Sequence, residues 1–427
     1  SGAIETALAR SPELEISEKG VESARARLRS SQRRRLPTLS VESQALYWNE
    51  ELAFGLGIPG MEPPPGVEAG EVVVREQITT STSVTATQPL SHQIAIGKLV
   101  ASDRHGLAAA QHDHAARRLQ IAADAARAYL GVLLAQATLE IAESRTALVE
   151  AQLERARVLQ EGGVLGKVDV MRLEAALAAA RREAITARAG AASAEDALVL
   201  LLGLPDGTDL QVVDELPPSG AAPITPDQAV RQATERRPEL RAARERAGQA
   251  RAGAEVQKAD LLPSLVALGT FQYNTGGGEF QPKTAWFAGL ALSWNVWDWG
   301  TTWNSYKSAS YQAEQAELSA DRAEDALRVE VRRVARDTQA AYEALEVARV
   351  GLAAAEEAFR IQEARFAEGA TTTTELLAAE TEVTEARTAF ATARVAYHAQ
   401  LATLAQATGQ LPDVFLPASG RRESGTP

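Results

Sequence analysis

The sequence predicts a mainly α-helical protein that also carries part of a β-barrel, built as a duplicated helix–β-hairpin–long helix–helix repeat. Three observations predict it: the chain repeats itself at fixed offsets, its long polar stretches carry a heptad rhythm, and four short segments alternate with period two. Composition bounds the alternatives. In 427 residues, 44 Lys and Arg stand against 56 Asp and Glu, and the net charge of −12 argues against nucleic acid or an anionic membrane surface as the main partner. There is no Cys, so disulfides, thiolate metal sites, Cys nucleophiles and a lipidated Cys are not expected within these residues. No run approaches the ~18 consecutive apolar residues of a transmembrane helix.

The repeat sets the boundaries. Ser11-Pro12-Glu13-Leu14 returns as Arg237-Pro238-Glu239-Leu240, an offset of 226 (238 − 12), and Leu36-Pro37-Thr38-Leu39 returns as Leu262-Pro263-Ser264-Leu265 at the same offset. Tyr47 and Tyr273 keep it. Further on, Val84 pairs with Leu290, Asp169 with Glu375, and Leu202-Gly203 with Thr408-Gly409, now at 206 (375 − 169). The first half therefore carries 20 extra residues (226 − 206), the Gly- and Pro-rich stretch from Phe54-Gly55 to Gly70 with Pro63-Pro64-Pro65 at its centre. It reads as a loop, like its counterpart Asn274-Thr275-Gly276-Gly277-Gly278. The first repeat spans 1–222, the second 223–409, and a C-terminal tail 410–427. The second repeat opens with Thr225-Pro226-Asp227-Gln228, a capping box with Pro just inside. Asp227 falls on Ser1, so the chain is expected to begin inside a helix, with upstream residues, a secretory signal among them, removed by processing or truncation.

Within each repeat the elements follow in order. Strands are expected at about 38–48 and 78–90, then at about 264–273 and 284–297. Long helices follow at about 93–161 and 301–367, each ~100 Å at 1.5 Å per residue. Return helices follow at about 168–202 and 374–408. In the first long helix the seam is read as Leu130, Leu134, Ala137, Ile141, Ser144, Leu148 and Ala151; in the second as Ala341, Leu345, Ala348, Leu352, Ala355, Phe359 and Phe366. Leu376, Val383, Phe390, Tyr397 and Leu404 continue at sevens beside Ala379, Ala386 and Ala393, small positions that let helices approach closely. From the heptads alone, a soluble coiled-coil scaffold that oligomerises through its helices stays open.

The strands decide the class. Leu39, Val41, Ala45 and Tyr47 share a face opposite Ser40, Glu42 and Gln44; Ile78, Val84, Ala86 and Leu90 alternate with Thr79, Ser81, Ser83, Thr85 and Thr87. Leu265, Ala267, Phe271 and Tyr273 form a third apolar face, and Trp286, Ala288, Leu290, Leu292, Trp294 and Val296 a fourth. All six Trp (Trp48, Trp286, Trp294, Trp297, Trp299, Trp303) lie in or just after these strands. Two readings fit them: core filler where strands meet helices, or the interfacial girdle of a membrane β-barrel formed by Tyr47, Trp48, Tyr273, Trp286, Trp294 and Trp297. Apolar faces alternating with small polar ones favour the girdle. A sheet in lipid must close, four strands cannot close alone, and several protomers must therefore contribute.

At this point the sequence resembles the TolC-like outer-membrane efflux protein family. The resemblance covers 1–409 and rests on the duplicated plan, the two Pro-Glu-Leu openings, the two Leu-Pro-[Thr/Ser]-Leu strand starts and Gln88-Pro89-Leu90. It rests also on two helix reversals, Glu161-Gly162-Gly163-Val164-Leu165-Gly166-Lys167-Val168-Asp169-Val170 and Glu368-Gly369-Ala370-Thr371-Thr372-Thr373-Thr374-Glu375-Leu376-Leu377. The resemblance implies a homotrimer with a 12-stranded β-barrel in the outer membrane of a Gram-negative bacterium, continued by a periplasmic α-helical barrel. An equatorial belt would follow Gly203 and Gly409. It implies a passive exit duct for tripartite efflux or type I secretion, with a periplasmic adaptor, an inner-membrane RND or ABC transporter and outer-membrane lipid as partners.

The resemblance also assigns sites. The reversals would be tips where the adaptor docks, formed by Gly163, Val164, Leu165, Gly166, Gly369, Ala370 and Thr372. For Gly162, Gly163 and Gly369, the need for positive φ in the turn is a sufficient alternative. Val164 and Leu165, apolar residues expected to be exposed, point more directly to contact. Glu375 would join Thr371, Phe366 and Asp169 at the channel aperture, three Glu375 forming a carboxylate ring. Both acids also fit a plain role at a helix N-terminus. Phe366 stands where the best-known family pattern has a gate tyrosine, Thr371 where it has an arginine, and Ala378 where it has a second aspartate, which implies a less firmly latched aperture. Arg33-Arg34-Arg35 would sit near the periplasmic membrane surface. His92, His105, His112 and His114 lie close in sequence, but His112 and His114 point to nearly opposite sides, which disfavours a metal site. No phosphate-binding loop, nucleophile elbow or HExxH motif occurs, and the carboxylates sit beside Arg, as in Glu143–Arg145 and Glu357–Arg360–Glu363. Neither an enzyme nor a cofactor is expected.

Overall fold

The computed structural model describes residues 2–55, 71–210, 212–213, 216, 224–278 and 281–411. The Pro63-Pro64-Pro65 loop, the tail beyond residue 411 and part of the expected belt segment after Gly203 lie outside these residues. The first repeat forms α1 (Gly2–Arg10), α2 (Pro12–Arg33), β1 (Thr38–Tyr47), β2 (Leu52–Gly55), β3 (Glu71–Arg75), β4 (Ile78–Pro89), α3 (Gln93–Glu161) and α4 (Lys167–Leu201). The second forms α5 (Pro226–Arg236), α6 (Pro238–Ala259), β5 (Ser264–Thr275), β6 (Thr284–Ser293), α7 (Thr301–Ala367) and α8 (Thr373–Ala407). Pro12 and Pro238 start helices at the same place in each repeat, where the missing N–H costs nothing. The capping box forms at α5, with Gln228 N–H donating to Thr225 Oγ1 at 3.4 Å and Thr225 N–H to Gln228 Oε1 at 3.2 Å.

The compact units of the chain do not follow the repeats; each draws on both halves. One comprises 22–109 and 244–319 and holds the sheet, antiparallel throughout in the order β1-β4-β5-β6. Its register aligns Val41 with Val84, Val84 with Phe271, and Phe271 with Trp286, so one apolar row crosses all four strands on a single face. The opposite face carries Ser40, Glu42, Gln44, Ser81, Ser83, Thr85, Thr270 and Gln272, cross-linked by Thr85–Thr270 at 3.1 Å and Gln272–Ser81 at 3.2 Å. β1 and β6 are the unpaired edges.

Two strand expectations need correction. The stretch read as a loop from Phe54 begins inside a second ribbon, in which β2 pairs with β3 across a bulge at Leu52/Ala53. The fourth strand ends at Ser293 rather than near Trp297, because Ser293 pairs with Ser264, the first residue of β5, and the preceding Pro263 has no N–H to offer.

The other unit comprises 1–21, 110–243 and 320–427 and is helical where described. Its clusters are built on Ala and Leu. Ile4, Ala7, Ala122, Ala125, Leu198 and Ala402 form one, Ala229, Ala233, Val331, Ala335 and Leu404 another, and Leu345, Tyr397 and Leu401 a third. The α8 heptad is realised, with Leu376, Ala379, Val383, Tyr397 and Leu404 buried. The seam read in α3 holds at Leu130, which is buried, and is displaced further along. Ala142, Val149 and Ala156 are buried at sevens beside Leu153, whereas Ser144 and Ala151 are exposed. Two small-apolar stripes run side by side there, and periodicity alone does not choose between them. The Glu143–Arg145 pairing also fails, because residues two apart on a helix do not face each other. Glu143 instead accepts from Arg188 at 2.5 Å, and Arg145 reaches Glu380 and Glu183. Of the Glu357–Arg360–Glu363 set, Arg360 holds Glu357 at 2.7 Å and Glu363 turns to Arg155 at 3.6 Å.

Candidate functional site: the helix reversals and the sheet face

Both reversals end their long helix in the same way. Val164 N–H donates to Leu159 O at 2.9 Å, and Ala370 N–H donates to Arg365 O at 2.8 Å, each closing a Schellman turn. Gly163 (φ 74°) and Gly369 (φ 69°) take the left-handed position, while Gly162 does not and is not needed for it. The tips also touch: a Cβ on Gly369 would lie 3.7 Å from Val164 Cγ1, and Arg172 Nη1 donates to Thr374 Oγ1 at 3.1 Å.

The tip residues divide by exposure. Val164 is 62% exposed, with Val158, Val168 and Met171 also exposed nearby on the same hairpin. Leu165 was expected beside it at the surface but is half-buried against Val149, Leu153, Val170, Leu173 and Leu376. Gly163, Gly166, Gly369, Ala370 and Thr372 are exposed.

The four residues assigned to an aperture separate likewise. Phe366 is 3% exposed and packs inside that same cluster, so its ring fills the hairpin core instead of lining a passage. A side chain without a hydroxyl gains more from burial than from a wet rim. Glu375 is exposed and caps α8: Thr372 N–H donates to its Oε2 at 3.0 Å, Glu375 N–H donates to Thr372 Oγ1 at 3.2 Å, and the Thr371 hydroxyl donates to Oε2 at 2.5 Å. The Thr371 hydroxyl first, then the Thr372 backbone and hydroxyl, hold its carboxyl below the usual glutamate range. Asp169 accepts from Gly166 N–H at 3.3 Å, a weaker version of the same cap, and lies 3.9 Å from Arg172.

Sequence reasoning missed an ion-pair centre above the tips. Glu380, fully buried on α8, accepts from Arg145 Nε at 2.9 Å and Nη2 at 3.3 Å and from the Thr384 hydroxyl at 3.1 Å; Arg145 Nη1 reaches Glu183 at 2.6 Å. Burial pulls the Arg145 guanidinium toward losing its proton, but the bonds to Glu380 and Glu183 outweigh this and raise its pKa. A signal was present: Glu380 falls between Leu376 and Val383 on the apolar stripe of α8.

At the sheet, three of the six residues expected in a girdle, Tyr47, Tyr273 and Trp286, share the apolar face. Tyr47, Tyr273 and Trp286 lie toward the β1–β4 and β5–β6 turns, with Trp286 78% exposed; Trp294 and Trp297 follow β6 at the helical end. Trp286 and Trp294 are eight residues apart (294 − 286), about 27 Å of extended chain. Trp48 does not share that face. One residue after Tyr47 it alternates to the opposite face, where its indole N–H donates to Thr79 Oγ1 at 3.0 Å. Of the histidines, His105 Nδ1 meets Glu245 at 2.7 Å and His114 Nδ1 meets Ser17 at 2.7 Å, each held by its own partner. Among the described residues no helix is long and apolar enough to cross a membrane.

The model of the outer membrane efflux protein family matches residues 3–204 and 229–410. Among solved structures, the outer-membrane channel OprN superposes with a TM-score of 0.80 at 23% identity, covering 96% of this chain and 89% of that one. The outer membrane protein VceC of Vibrio cholerae gives 0.77 at 19% identity, with 96% and 95% covered. The open state of the Neisseria gonorrhoeae MtrE channel gives 0.76 at 20% identity, with 96% and 88% covered. A search of curated proteins returns no match.

Proposed function

The chain belongs to the outer membrane efflux protein family, and from this premise of an outer-membrane efflux channel we propose that it acts as a homotrimeric, passive exit duct. Membership in a family of channels replaces the coiled-coil scaffold reading. The observation that carries the finer proposal is the sheet. One face carries exposed apolar residues on all four strands, and among the described residues each edge strand is paired on one side only. An open edge cannot face lipid, so three chains would close twelve strands, β6 of each pairing with β1 of the next. The small polar face would then line the lumen.

The duct would receive substrates from an inner-membrane RND or ABC transporter through a periplasmic adaptor, in tripartite efflux or type I secretion. Docking is proposed at the exposed tip residues Val164, Gly163, Gly166, Gly369, Ala370 and Thr372, with Leu165 supporting them from beneath. Glu375 is proposed to ring the aperture with Thr371 and Asp169. Light scattering of protein extracted from membranes in detergent should give three times 45.4 kDa, and the trimer should conduct in planar bilayers. A monodisperse monomer in plain buffer would overturn this reading.

A further inference from the structure

The turn end of the sheet carries a structure that barrel closure does not require. The β2–β3 ribbon leaves the sheet between β1 and β4, and its base is pinned on the polar face. Trp48 reaches Thr79 there, the Arg75 guanidinium lies 3.9 Å from the Trp48 ring centroid, and Arg75 Nη2 donates to the Glu50 carbonyl at 3.3 Å. The ribbon is also fastened to the β5–β6 turn. Glu76 N–H donates to Gly276 O at 2.7 Å, and a Cβ on Gly276 or Gly278 would lie 2.0 Å from the carbonyl oxygen of Ile78 or Val73. Beneath it lies a cavity of about 400 Å³ walled by Gln44, Trp48, Arg75, Ser81, Gln272 and Asn274. Asn274 is the one residue of β5 that is buried, although it belongs to the polar face.

We propose that the Trp48–Arg75 clasp holds the β2–β3 ribbon across the lumenal side of the barrel mouth, forming an outer constriction of the duct distinct from the helical tips. The inference rests on the proposed duct, in which the polar face is lumenal. The physical reason lies in the two side chains. An indole on a wet face has no lipid to cover it, and a guanidinium laid on its π-face covers the ring while its Nη2 stays bonded to the Glu50 carbonyl. Three such clasps around a threefold axis would narrow the mouth from the inside. Lumen width and lining govern conduction, so the clasp is readable in single-channel current.

The test is conductance of purified trimers in planar bilayers. Trp48→Ala and Arg75→Ala should each raise it about twofold, and the double substitution should raise it no further, because both remove one clasp. Arg75→Lys, which keeps a cation over the ring, should stay near the wild-type value. Thr79→Val removes only the indole acceptor and should give a smaller rise; it carries the test if Trp48→Ala fails to assemble. Wild-type conductance in Trp48→Ala and Arg75→Ala trimers, or strictly additive increases, would overturn the constriction while leaving the duct intact. Wild-type trimers that form no channel would overturn the duct itself, and this inference with it.

Discussion

Glu375 shows how one side chain can serve two scales. Within a protomer it closes the capping box of α8, and its folded-state pKa is lowered by the Thr371 and Thr372 bonds. A depressed pKa stabilises above the unfolded value and loses its effect as pH falls through the folded one. Hydrogen-exchange protection of the first turn of α8 should therefore drop in acid, below the ordinary glutamate range, and lose this pH dependence in Glu375→Gln. In the proposed trimer the same substitution should reduce cation selectivity in planar bilayers, whereas Glu382→Gln, also exposed, should not. Glu380 is no such control, because it is buried against Arg145. Arg145→Met would strand that carboxylate and should cost about 3 kcal/mol of stability in denaturant unfolding. Pairing it with Glu380→Leu should recover most of the loss, since the uncompensated charge is then gone.

At the scale of elements, the two reversals are one device used twice. Ala in place of Gly163 or Gly369 forces a Cβ into positive φ and should destabilise by about 1 kcal/mol, while Gly162→Ala should be neutral or slightly stabilising. The thermal midpoint of each variant in detergent checks this. Val164→Asp and Leu165→Asp should part company in the same way. The first places its charge in water, leaves the trimer intact and should weaken adaptor-dependent export. The second buries a carboxylate against Leu173 and Leu376 and should cost about 2–4 kcal/mol, lowering the midpoint itself. Unchanged export in a well-expressed Val164→Asp variant would remove the tip from the docking surface. The glycines and the capping boxes were legible as residue strings. The inward turn of Leu165 was not, because a loop residue's direction depends on the helices on either side.

Over the whole molecule, the sheet sets where the protein can stand. Among the described residues its apolar face has no partner, and in the proposed trimer its edges pair with other copies. Leu290→Arg, on that face and 68% exposed, should cost up to about 2–4 kcal/mol in lipid and reduce the yield of heat-resistant trimer. Thr85→Lys, on the polar face in the row of Thr270 and Phe287, should assemble normally and shift ion selectivity toward anions, since an ammonium in the proposed lumen is solvated. Equal damage from both would mean that the faces are not divided between lipid and water.

The sequence by itself determined the duplication, the order of the elements, the capped and glycine-terminated helix ends, and which strand residues share a face. Those features follow from offsets and from periods of seven and two, which are properties of the chain alone. The tertiary structure decided what each face meets. Both stripes of α3 satisfy the heptad, and only the neighbouring helices select Ala142, Val149 and Ala156. Phe366 reads as a gate until the hairpin core closes over it. Trp48, one residue after Tyr47, falls on the polar side by alternation, but only the fold supplies the Thr79 hydroxyl and the Arg75 guanidinium that meet it there. Arg145 and Glu380 lie 235 residues apart, a pairing that no local pattern announces. Periodicity orients a side chain about its own element's axis, and only packing supplies the neighbour it faces.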